Sequence, residues 1–344
     1  MLTLDAIQLK QLMHHCLTID APLMVWGPTG CGKTQITRQA CEAAGYICLD
    51  YLLLLRDQVD LRGAPVPDME AGETRWLRPD DLPFKGSRRF DPSKRYVIHF
   101  DEINTAPPSL QAVAFQLVLE RRAGPHELQE GTRIIACGNR QSDRGAAQKM
   151  PVPLENRFRH ALLMPDVVAF ARHCNAIGAN PILPAFIRFR PELLHALSPT
   201  DPTHCSPRIW LDQVAKDLDL PPPFRQLAFA SAVGEGPAAE LEGFIGLFTR
   251  LPPIAEIIRN PTTAVTPDDV SRDTKERLGL RYAVAVALAR AATRANFEAC
   301  LTYGARLPRE QCIVMVVDAV KRDAELMNTK AFVAWAKNNQ DIAL

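Results

Sequence analysis

A glycine-rich stretch near the start of the chain carries residues suited to binding phosphate. From Gly27 to Thr34 the sequence reads Gly-Pro-Thr-Gly-Cys-Gly-Lys-Thr, which matches the pattern G-x-x-x-x-G-K-[S/T]. Glycines let a backbone wrap closely around a phosphate, with N–H groups pointing inward at the positive end of a helix. Lys33 would then reach the β- and γ-phosphates, and the Thr34 hydroxyl would ligate Mg²⁺. The predicted nucleotide-binding residues are Gly27, Pro28, Thr29, Gly30, Cys31, Gly32, Lys33 and Thr34.

The segments on either side of this loop have the patterns that a phosphate loop requires. Leu23-Met24-Val25-Trp26 is a short apolar run, typical of a buried parallel strand. Residues Lys33 to Ala44 are rich in alanine and long polar side chains, which favours a helix. The alternative is a glycine-rich turn that only joins a strand to a helix. The four pattern residues and the correct flanks favour nucleoside triphosphate binding over that alternative.

Two adjacent carboxylates follow a second apolar run. Residues Arg95 to Glu102 read Arg-Tyr-Val-Ile-His-Phe-Asp-Glu, as expected for a central strand that ends in two acids. Asp101 would hold Mg²⁺ through water, and Glu102 would polarise an attacking water as the general base. An acidic strand end in solvent is the alternative, and the phosphate loop upstream favours the functional interpretation. His99 is interpreted as a core histidine whose hydrogen bonds are satisfied.

A polar amide follows another predicted strand. Arg133 to Gly138 is an apolar run that delivers Asn139 at its end. An amide at that position can orient a water molecule against the γ-phosphate of a bound nucleotide. Taken alone, an asparagine after a strand is more often a turn residue, and its own context leaves that alternative open.

The order of elements indicates an α/β core followed by helices. Further strands are predicted at Tyr46 to Asp50 and His160 to Met164, and a first helix at Leu4 to Leu17. Short hairpins are predicted within the irregular stretch from Asp57 to Pro92 and within Ala123 to Gly131. After residue 166 the alternation of strands and helices stops, and helices separated by proline clusters follow. The predicted domains are a nucleotide-binding core at 1–166, a helical lid at 167–220 and a helical C-terminal region at 221–344.

Composition excludes several classes of protein. The 344 residues carry a formal net charge of +1, which provides no overall attraction to nucleic acid or anionic lipid. No apolar run approaches the roughly 20 residues of a membrane span, and the first residues lack the features of a signal peptide. The nine cysteines include no C-x-x-C pair, so neither a zinc knuckle nor a redox pair is predicted. Reduced thiols in a cytoplasm fit this pattern best.

The motifs, read in order, resemble the AAA+ ATPase module, and in detail its MoxR-type branch. Asp101-Glu102-Ile103-Asn104, followed by Ala106-Pro107 and a glutamine-containing helix, is similar to the acidic motif of that branch. Ala136-Cys137-Gly138-Asn139-Arg140 resembles the sensor 1 segment, although family members often have glutamine where this chain has Gly138. Ser206-Pro207-Arg208-Ile209-Trp210 resembles the sensor 2 helix. The branch has extra hairpins where this chain has its inserts, and the resemblance covers about residues 4 to 220.

The resemblance implies a fold and several residue roles. The implied fold is an AAA+ P-loop core with a five-stranded parallel sheet, followed by an all-helical lid and a helical C-terminal region. Asn139 would be sensor 1, and Arg208 would be sensor 2, reaching the γ-phosphate of its own subunit. Arg157 would be the arginine finger that each subunit offers to its neighbour. A surface arginine is the alternative for Arg157, and the rival fingers are Arg140, Arg144 and Arg159.

The resemblance also implies an activity. The implied protein is a cytoplasmic ATP hydrolase of the chaperone type that forms a hexameric ring. It would use Mg²⁺ and remodel a partner protein that contains a von Willebrand A domain. The choice of ATP over GTP depends on this resemblance alone, because the sequence contains no recognisable motif that contacts the base. One alternative is a nucleic-acid motor or restriction-type subunit, although the basic residues between Lys85 and Arg95 are few and interrupted by Asp91. Another is a P-loop kinase, which would leave Arg157 and Arg208 without roles.

Overall fold

The computed structural model describes residues 1–140, 148, 150–197 and 202–339. Its chain forms two compact units, Met1–Asp166 and Val167–Leu344. The finer division of the second unit into a lid at 167–220 and a C-terminal region at 221–344 stays a prediction. Among the described residues, no helix combines the length and the apolar character that crossing a bilayer demands.

The first unit is built on one parallel sheet. Within the described residues this sheet has six strands, in the order β1-β10-β2-β9-β6-β3, with every neighbouring pair parallel. The glycine-rich loop begins directly after the central strand β2. The strands of the chain are β1 Leu2–Leu4, β2 Leu23–Trp26, β3 Ile47–Leu52, β4 Ala64–Asp68, β5 Glu73–Leu77, β6 Tyr96–Asp101, β7 Arg122–Ala123, β8 His126–Glu127, β9 Arg133–Gly138 and β10 Arg159–Leu163.

Helices cover both faces of this sheet. Side chains alternate between faces along a strand, so β2 sends Met24 and Trp26 into one hydrophobic core and Leu23 and Val25 into the other. All four are buried, which explains why this strand reads as a continuous apolar run. The helices of the first unit are α1 Ala6–Thr18, α2 Lys33–Ala43, α3 Gln58–Arg62, α4 Pro108–Glu120 and α5 Val152–Glu155, with 3₁₀ turns at Leu53–Leu55 and Ile103–Thr105.

The predicted fold class is confirmed, with one correction to the strand count. An α/β core with a parallel sheet precedes a helical region, but the sheet has six strands in the described chain rather than five. The additional strand, β1, pairs with β10 at the edge of the sheet. The predicted first helix began at Leu4, the last residue of this strand, because Leu4 fits the apolar spacing of α1. In the structure Asp5 separates the two elements, since its carboxylate accepts hydrogen bonds from the N–H groups of Ile7 and Gln8.

Two hairpins lie outside the main sheet, where the sequence predicts them. Strands β4 and β5 pair antiparallel and form the larger hairpin. Strands β7 and β8 form the smaller one, and residues 83–85 run beside it through the Phe84–Leu128 bridge. The larger hairpin turns at residues 69–72, whereas Trp76 lies opposite Pro65 under the guanidinium of Arg62. Trp76 therefore lies along β5 and not at the turn of the hairpin.

The second unit is helical throughout its described residues. One hydrophobic core contains Trp210, Phe186, Phe229 and Phe244, and another contains Tyr303 with its neighbours. Its helices are α6 Val167–Ala176, α7 Ile182–Phe189, α8 Pro207–Ile209, α9 Ala215–Asp217, α10 Pro222–Val233, α11 Glu235–Phe248, α12 Ile254–Arg259, α13 Pro267–Val270, α14 Thr274–Ala291, α15 Phe297–Gly304, α16 Arg309–Arg322 and α17 Lys330–Lys337, with 3₁₀ turns at Pro191–Leu194 and Ala324–Asn328.

The predicted helix that begins at Ser206 is not a continuous α-helix. A π-helical turn, Trp210–Val214, lies between α8 and α9. Trp210 is fully buried there, and its indole N–H donates to the carbonyl of Leu193 at 2.7 Å. A buried indole with a satisfied N–H anchors the helix, and π-turns of this kind often occur near functional positions.

Candidate nucleotide-binding site

The loop between β2 and α2 has the backbone geometry of an anion-binding turn. Gly32 caps α2 in the left-handed region, with φ at 95°, a conformation that residues with a Cβ adopt only at a cost. No side chain caps this helix among the described residues, so its first N–H groups remain available to a ligand. Cys31 is buried in the loop, and burial raises the pKa of its thiol to about 11. Its side chain is therefore a neutral packing group at physiological pH.

Lys33 connects the loop to the strand beside it. Its ammonium group donates to the carbonyls of Gly27 and Pro28 at 2.8 and 3.0 Å, and to Asn139 Oδ1 at 2.8 Å. The side chain is buried, yet all three donors have oxygen partners. The predicted phosphate-binding lysine and the predicted sensor asparagine are therefore in direct contact. A phosphate oxygen entering the loop would compete with Asn139 for the same ammonium.

Thr34 and Asp101 provide the oxygen ligands predicted for a magnesium ion. The Thr34 hydroxyl donates to Asp101 Oδ2 at 2.6 Å, so two residues that are 67 positions apart in the chain meet at the carboxyl edge of the sheet. A hydroxyl and a carboxylate are hard oxygen ligands, which suit Mg²⁺, and such sites leave the remaining positions to water and phosphate. The donor set at this position fits the ion.

Glu102 is held in an unusual backbone conformation directly after Asp101. Its φ is 51°, in the left-handed region, and its carbonyl accepts hydrogen bonds from the N–H and the hydroxyl of Thr105. Its own N–H donates to Asp101 Oδ1 at 3.1 Å. Among the described residues, none hydrogen-bonds to the half-buried carboxylate of Glu102. A strained backbone that presents an unpartnered carboxylate is typical of a catalytic position.

Asn104 is a site residue to which the sequence analysis assigned no role. Its side-chain amide donates to the carbonyl of Asn139 at 2.7 Å, and its Oδ1 accepts from the N–H of Asn139 at 3.3 Å. The side chain is buried, so it mimics a backbone pairing between the acidic loop and the end of β9. The only signal in the sequence was its place in the Asp-Glu-Ile-Asn motif. Asn104 fixes the backbone from which the Asn139 amide reaches Lys33.

This arrangement explains the glycine before Asn139. A Cβ at Gly138 would lie 2.5 Å from Asn104 Oδ1 and 2.6 Å from the terminal methyl carbon of Met24. Both distances are far below van der Waals contact, so any larger residue displaces the Asn104 side chain. The positions of Asn104 and Met24 thus explain why a glycine is required at 138.

Replacing Gly138 with alanine tests this packing. Gly138→Ala should lower the free energy of unfolding by about 1–3 kcal/mol, as overpacking of a filled core does. It should also lower nucleotide turnover, because displacing Asn104 moves Asn139. Thermal unfolding and phosphate release measure the two effects. The matched control is Gly243→Ala on the exposed face of α11, where nothing lies within 4 Å of an added Cβ; equal effects of both substitutions would contradict the packing argument.

The candidate finger Arg157 lies in a short segment that is tied to the loop strand. Trp26, the last residue of β2, donates its indole N–H to His160 Nδ1 at 2.9 Å. The other ring nitrogen of His160 contacts the carbonyl of Glu155 at 2.8 Å, and Phe158 is buried. Arg157 is exposed on this anchored segment and has no ion-pair partner among the described residues.

The rival arginines differ in their surroundings. Burial raises the pKa of the Cys16 thiol on α1, and the charge of the nearby Arg159 opposes that rise, so Arg159 faces a group of its own chain. Arg140 is half-buried and has an interaction partner. Arg144 lies outside the described residues. Arg157 is the described candidate that is exposed and has no such neighbour, although its role as a finger stays a prediction.

Arg208 belongs to the second unit. It follows Ser206, whose hydroxyl oxygen accepts a hydrogen bond from the N–H of Ile209 at 3.3 Å and caps the helix. Its guanidinium lies 3.4 Å from Asp212 one turn along the helix, and both side chains are well exposed. An exposed pair of this kind contributes little stability, so the guanidinium can exchange its partner at small cost. Its predicted contact with the γ-phosphate stays a prediction.

His99 lies in the sheet behind the two carboxylates, and both of its ring nitrogens have partners. Nδ1 contacts Asp50 Oδ1 at 2.6 Å, and Nε2 contacts Cys137 Sγ at 3.1 Å. Burial alone would lower the pKa of His99, but Cys137 and the hydrogen-bonded Asp50 outweigh burial and raise it to about 10. The prediction of a core histidine with satisfied hydrogen bonds agrees with this environment.

Comparisons with known proteins add little to this geometry. No protein-family model matches the sequence, and a search of curated proteins found no significant match. Among solved structures, a candidate ATPase from Cytophaga hutchinsonii is 11% identical over 91% of this chain and 79% of that chain, with a TM-score of 0.35. The RuvB Holliday junction branch migration motor of Thermotoga maritima is 12% identical over 77% and 79%, with a TM-score of 0.37. NtrX from Brucella abortus in complex with ADP is 14% identical over 97% and 67%, with a TM-score of 0.34. At such low identities and TM-scores these similarities carry no argument about function.

Proposed function

We propose that this chain is an AAA+ ATPase of the MoxR-like type, which assembles into a ring and uses ATP hydrolysis to remodel a partner protein. The observation that carries the proposal is the constellation at the carboxyl edge of the sheet. Lys33 contacts Asn139, Thr34 contacts Asp101, and an unpartnered Glu102 carboxylate follows directly. A simple phosphate-binding turn requires none of Asn139, Asp101 and Glu102.

The chemistry that we propose is in-line attack of water on the γ-phosphoryl group of ATP. The water oxygen forms a bond to the γ-phosphorus as the bond between that phosphorus and the bridging oxygen of ADP breaks. Glu102 accepts the proton of the attacking water, Asn139 orients that water, and Lys33 binds the β- and γ-oxygens. Thr34 and Asp101 would hold Mg²⁺, which would neutralise negative charge on the phosphate oxygens. The products are ADP and inorganic phosphate.

The proposal places part of the catalytic machinery on a neighbouring subunit. Arg157 is anchored through the backbone of its segment, yet its guanidinium has no partner among the described side chains and faces solvent. A guanidinium in that state suits a site on a second copy of the chain, where it would stabilise the charge that develops during transfer. Arg208 would act within its own subunit. A ring, hexameric in the family that the sequence resembles, satisfies both requirements.

A protein partner is favoured over nucleic acid. Several cations of the short basic stretch that suggested a nucleic-acid motor have local partners in the structure. Lys85 pairs with Glu127 at 2.9 Å and approaches Glu130, and Arg89 lies 4.0 Å from Asp80. The guanidinium of Arg95 covers the ring of Tyr46. Because these cations have local partners, we propose a protein partner, with a von Willebrand A-domain protein as the class that the family resemblance implies.

Purified protein tests this function directly. We expect Mg²⁺-dependent release of phosphate from ATP, with a specific activity that rises as protein concentration passes the assembly threshold. A parallel assay with GTP determines the preferred base. Double-stranded and single-stranded DNA serve as the control, and neither should stimulate turnover. Stimulation by DNA that fades steeply with added salt would instead support the nucleic-acid motor; phosphate transfer to an acceptor other than water would support a kinase.

A further inference from the structure

A group of sulfur, nitrogen and oxygen ligands lies behind the nucleotide site, on two adjacent strands. Asp50 on β3 and His99 on β6 are directly paired across the sheet. Cys48 precedes Asp50 by two residues and therefore points to the same face of β3. We call Cys48, Asp50 and His99 the thiol–imidazole cluster.

The ligand atoms of this cluster are already close together. His99 Nδ1 lies 2.6 Å from Asp50 Oδ1, which in turn lies 3.8 Å from Cys48 Sγ. The ligand atoms of Cys48, Asp50 and His99 all lie within 4.8 Å of one another. These three side chains thus converge without any rearrangement of the backbone.

We propose that the thiol–imidazole cluster is a binding site for Zn²⁺ or a similar thiophilic divalent cation. One thiolate, one imidazole and one carboxylate form a three-ligand set, and water can take the fourth position of the tetrahedral arrangement that zinc prefers. Ligand atoms around such an ion lie roughly 3–4 Å apart, since each lies about 2.0–2.3 Å from the metal. The Cys48–Asp50 distance fits this range, and the shorter Asp50–His99 contact must open by a fraction of an ångström. The ion takes the place of the proton that these two residues share.

Partners outside the cluster already orient the ligands. The second ring nitrogen of His99 contacts Cys137 at 3.1 Å, which fixes the ring with Nδ1 toward Asp50. The second oxygen of Asp50 accepts a hydrogen bond from Arg38 Nε at 2.6 Å. Metal-binding histidines and carboxylates are commonly held in this way by a second set of hydrogen bonds. These contacts lower the cost of organising the site when a metal enters.

A competing set of ligands shares His99 but is less suitable. His99, Asp101 and Cys137 also lie within 4.8 Å of one another. In that set His99 and Cys137 are fully buried, and Asp101 already accepts the Thr34 hydroxyl. In the thiol–imidazole cluster, by contrast, Cys48 is half-buried and the side chain of Asp50 is 27% exposed. An ion can therefore reach the thiol–imidazole cluster from solvent.

A metal at this position would join β3 to β6. Strand β6 ends at Asp101, one of the predicted magnesium ligands. The ion would therefore stabilise the framework of the nucleotide site without contacting nucleotide. We expect metal binding to raise the melting temperature of the protein, because a ligand that binds only the folded state stabilises it. This inference does not depend on the proposed ATPase activity.

Cobalt spectroscopy tests the proposal on the full chain in the presence of a non-thiol reductant. Co²⁺ should bind to about one site per chain and give thiolate-to-cobalt charge-transfer and tetrahedral d–d bands, which Zn²⁺ then removes. Co²⁺ bound at Thr34 and Asp101 would have oxygen ligands and no thiolate band. We expect Cys48→Ser to weaken Co²⁺ binding at least about tenfold, as loss of a ligand or its support does. Cys312→Ser, a buried thiol outside the cluster, should bind as the unaltered protein does.

Three results would overturn the proposal. One is the absence of a thiolate band in the unaltered protein. Another is a band that persists in Cys48→Ser but disappears in Cys137→Ser, which would assign the metal to the competing set. A third is equal loss in Cys48→Ser and Cys312→Ser, which would indicate unspecific binding to thiols. Circular dichroism of each variant checks that it is folded, so that loss of binding is not loss of structure.

Discussion

Replacing Arg157 with alanine should abolish turnover while leaving ATP binding intact. Turnover should fall on the order of 10³–10⁵-fold, the range that arginine fingers contribute in other nucleotide hydrolases. Binding should be retained because, in the proposed site, Lys33, Thr34 and the loop of the same chain contact the nucleotide. The segment itself should keep its structure, since Leu154, Phe158 and the His160 contact to Glu155 hold it without the guanidinium. Phosphate release measures the first effect, and a fluorescent ATP analogue measures the second.

The matched control for this prediction is the neighbouring arginine. Arg159→Ala removes a side chain whose charge lies near the Cys16 thiol on α1 of the same chain. We therefore expect it to lower stability slightly and to leave turnover nearly unchanged. If Arg159→Ala abolished turnover and Arg157→Ala did not, the finger would be assigned to the wrong residue. If neither substitution lowered turnover, the account of these two arginines would be wrong altogether.

Replacing Glu102 with glutamine should trap the enzyme with ATP bound. Glutamine keeps the size and the polar character of the side chain but cannot accept a proton from water. Loss of a general base of this kind lowers rates about 10²–10⁴-fold. The backbone hydrogen bonds of residue 102 to Asp101 and Thr105 do not involve its carboxylate and should survive. Phosphate release and the mass of the ATP-bound assembly by light scattering are the two measurements.

The control for Glu102→Gln neutralises a carboxylate elsewhere in the same unit. Glu42 is exposed on α2, so Glu42→Gln should leave turnover unchanged. The ATP-bound Glu102→Gln protein should form a stable ring, because hydrolysis no longer releases the assembly. A Glu102→Gln protein that turns over ATP at the unaltered rate would exclude Glu102 as the base. A trapped protein that stays monomeric would leave the phosphate loop in place and remove the argument for a ring.

The phosphate loop and the acidic strand end were predictable because each depends on residues that are close in sequence. The match from Gly27 to Thr34 specifies the loop, and the apolar run before Asp101 specifies the strand. Carboxyl ends of parallel strands meet at one edge of a sheet, so the Thr34–Asp101 contact follows from the assignment of the strands. The same reasoning placed Asn139 beside the loop, although its contact with Lys33 appears only in the structure.

Features that depend on distant pairing were not predictable from pattern alone. Strand β1 is three residues long and gains its identity from pairing with β10, some 160 positions away. Asn104 looks like an ordinary polar residue until the fold brings it against the backbone of Asn139. The link from Trp26 through His160 to Glu155 has no local signal either. In each case tertiary contacts, rather than local propensity, determine what the residue does.

The thiol–imidazole cluster illustrates the same limit. Its three ligands lie at positions 48, 50 and 99, and no zinc-binding spacing connects them. Only the pairing of β3 with β6 brings His99 to the other two. Cysteine spacing is therefore a poor guide to metal binding when the ligands lie on separate strands of a sheet.

Mixing two inactive variants tests the central claim most directly. A ring that contains both Arg157→Ala and Glu102→Gln subunits has some interfaces where an intact Glu102 site faces an intact Arg157. Random mixing in equal amounts produces such interfaces at roughly a quarter of all positions in a closed ring. We expect mixed protein to recover turnover in that proportion, whereas each variant alone stays inactive. Failure to recover any turnover, although the subunits demonstrably co-assemble and bind ATP, would show that one polypeptide encloses the whole catalytic site.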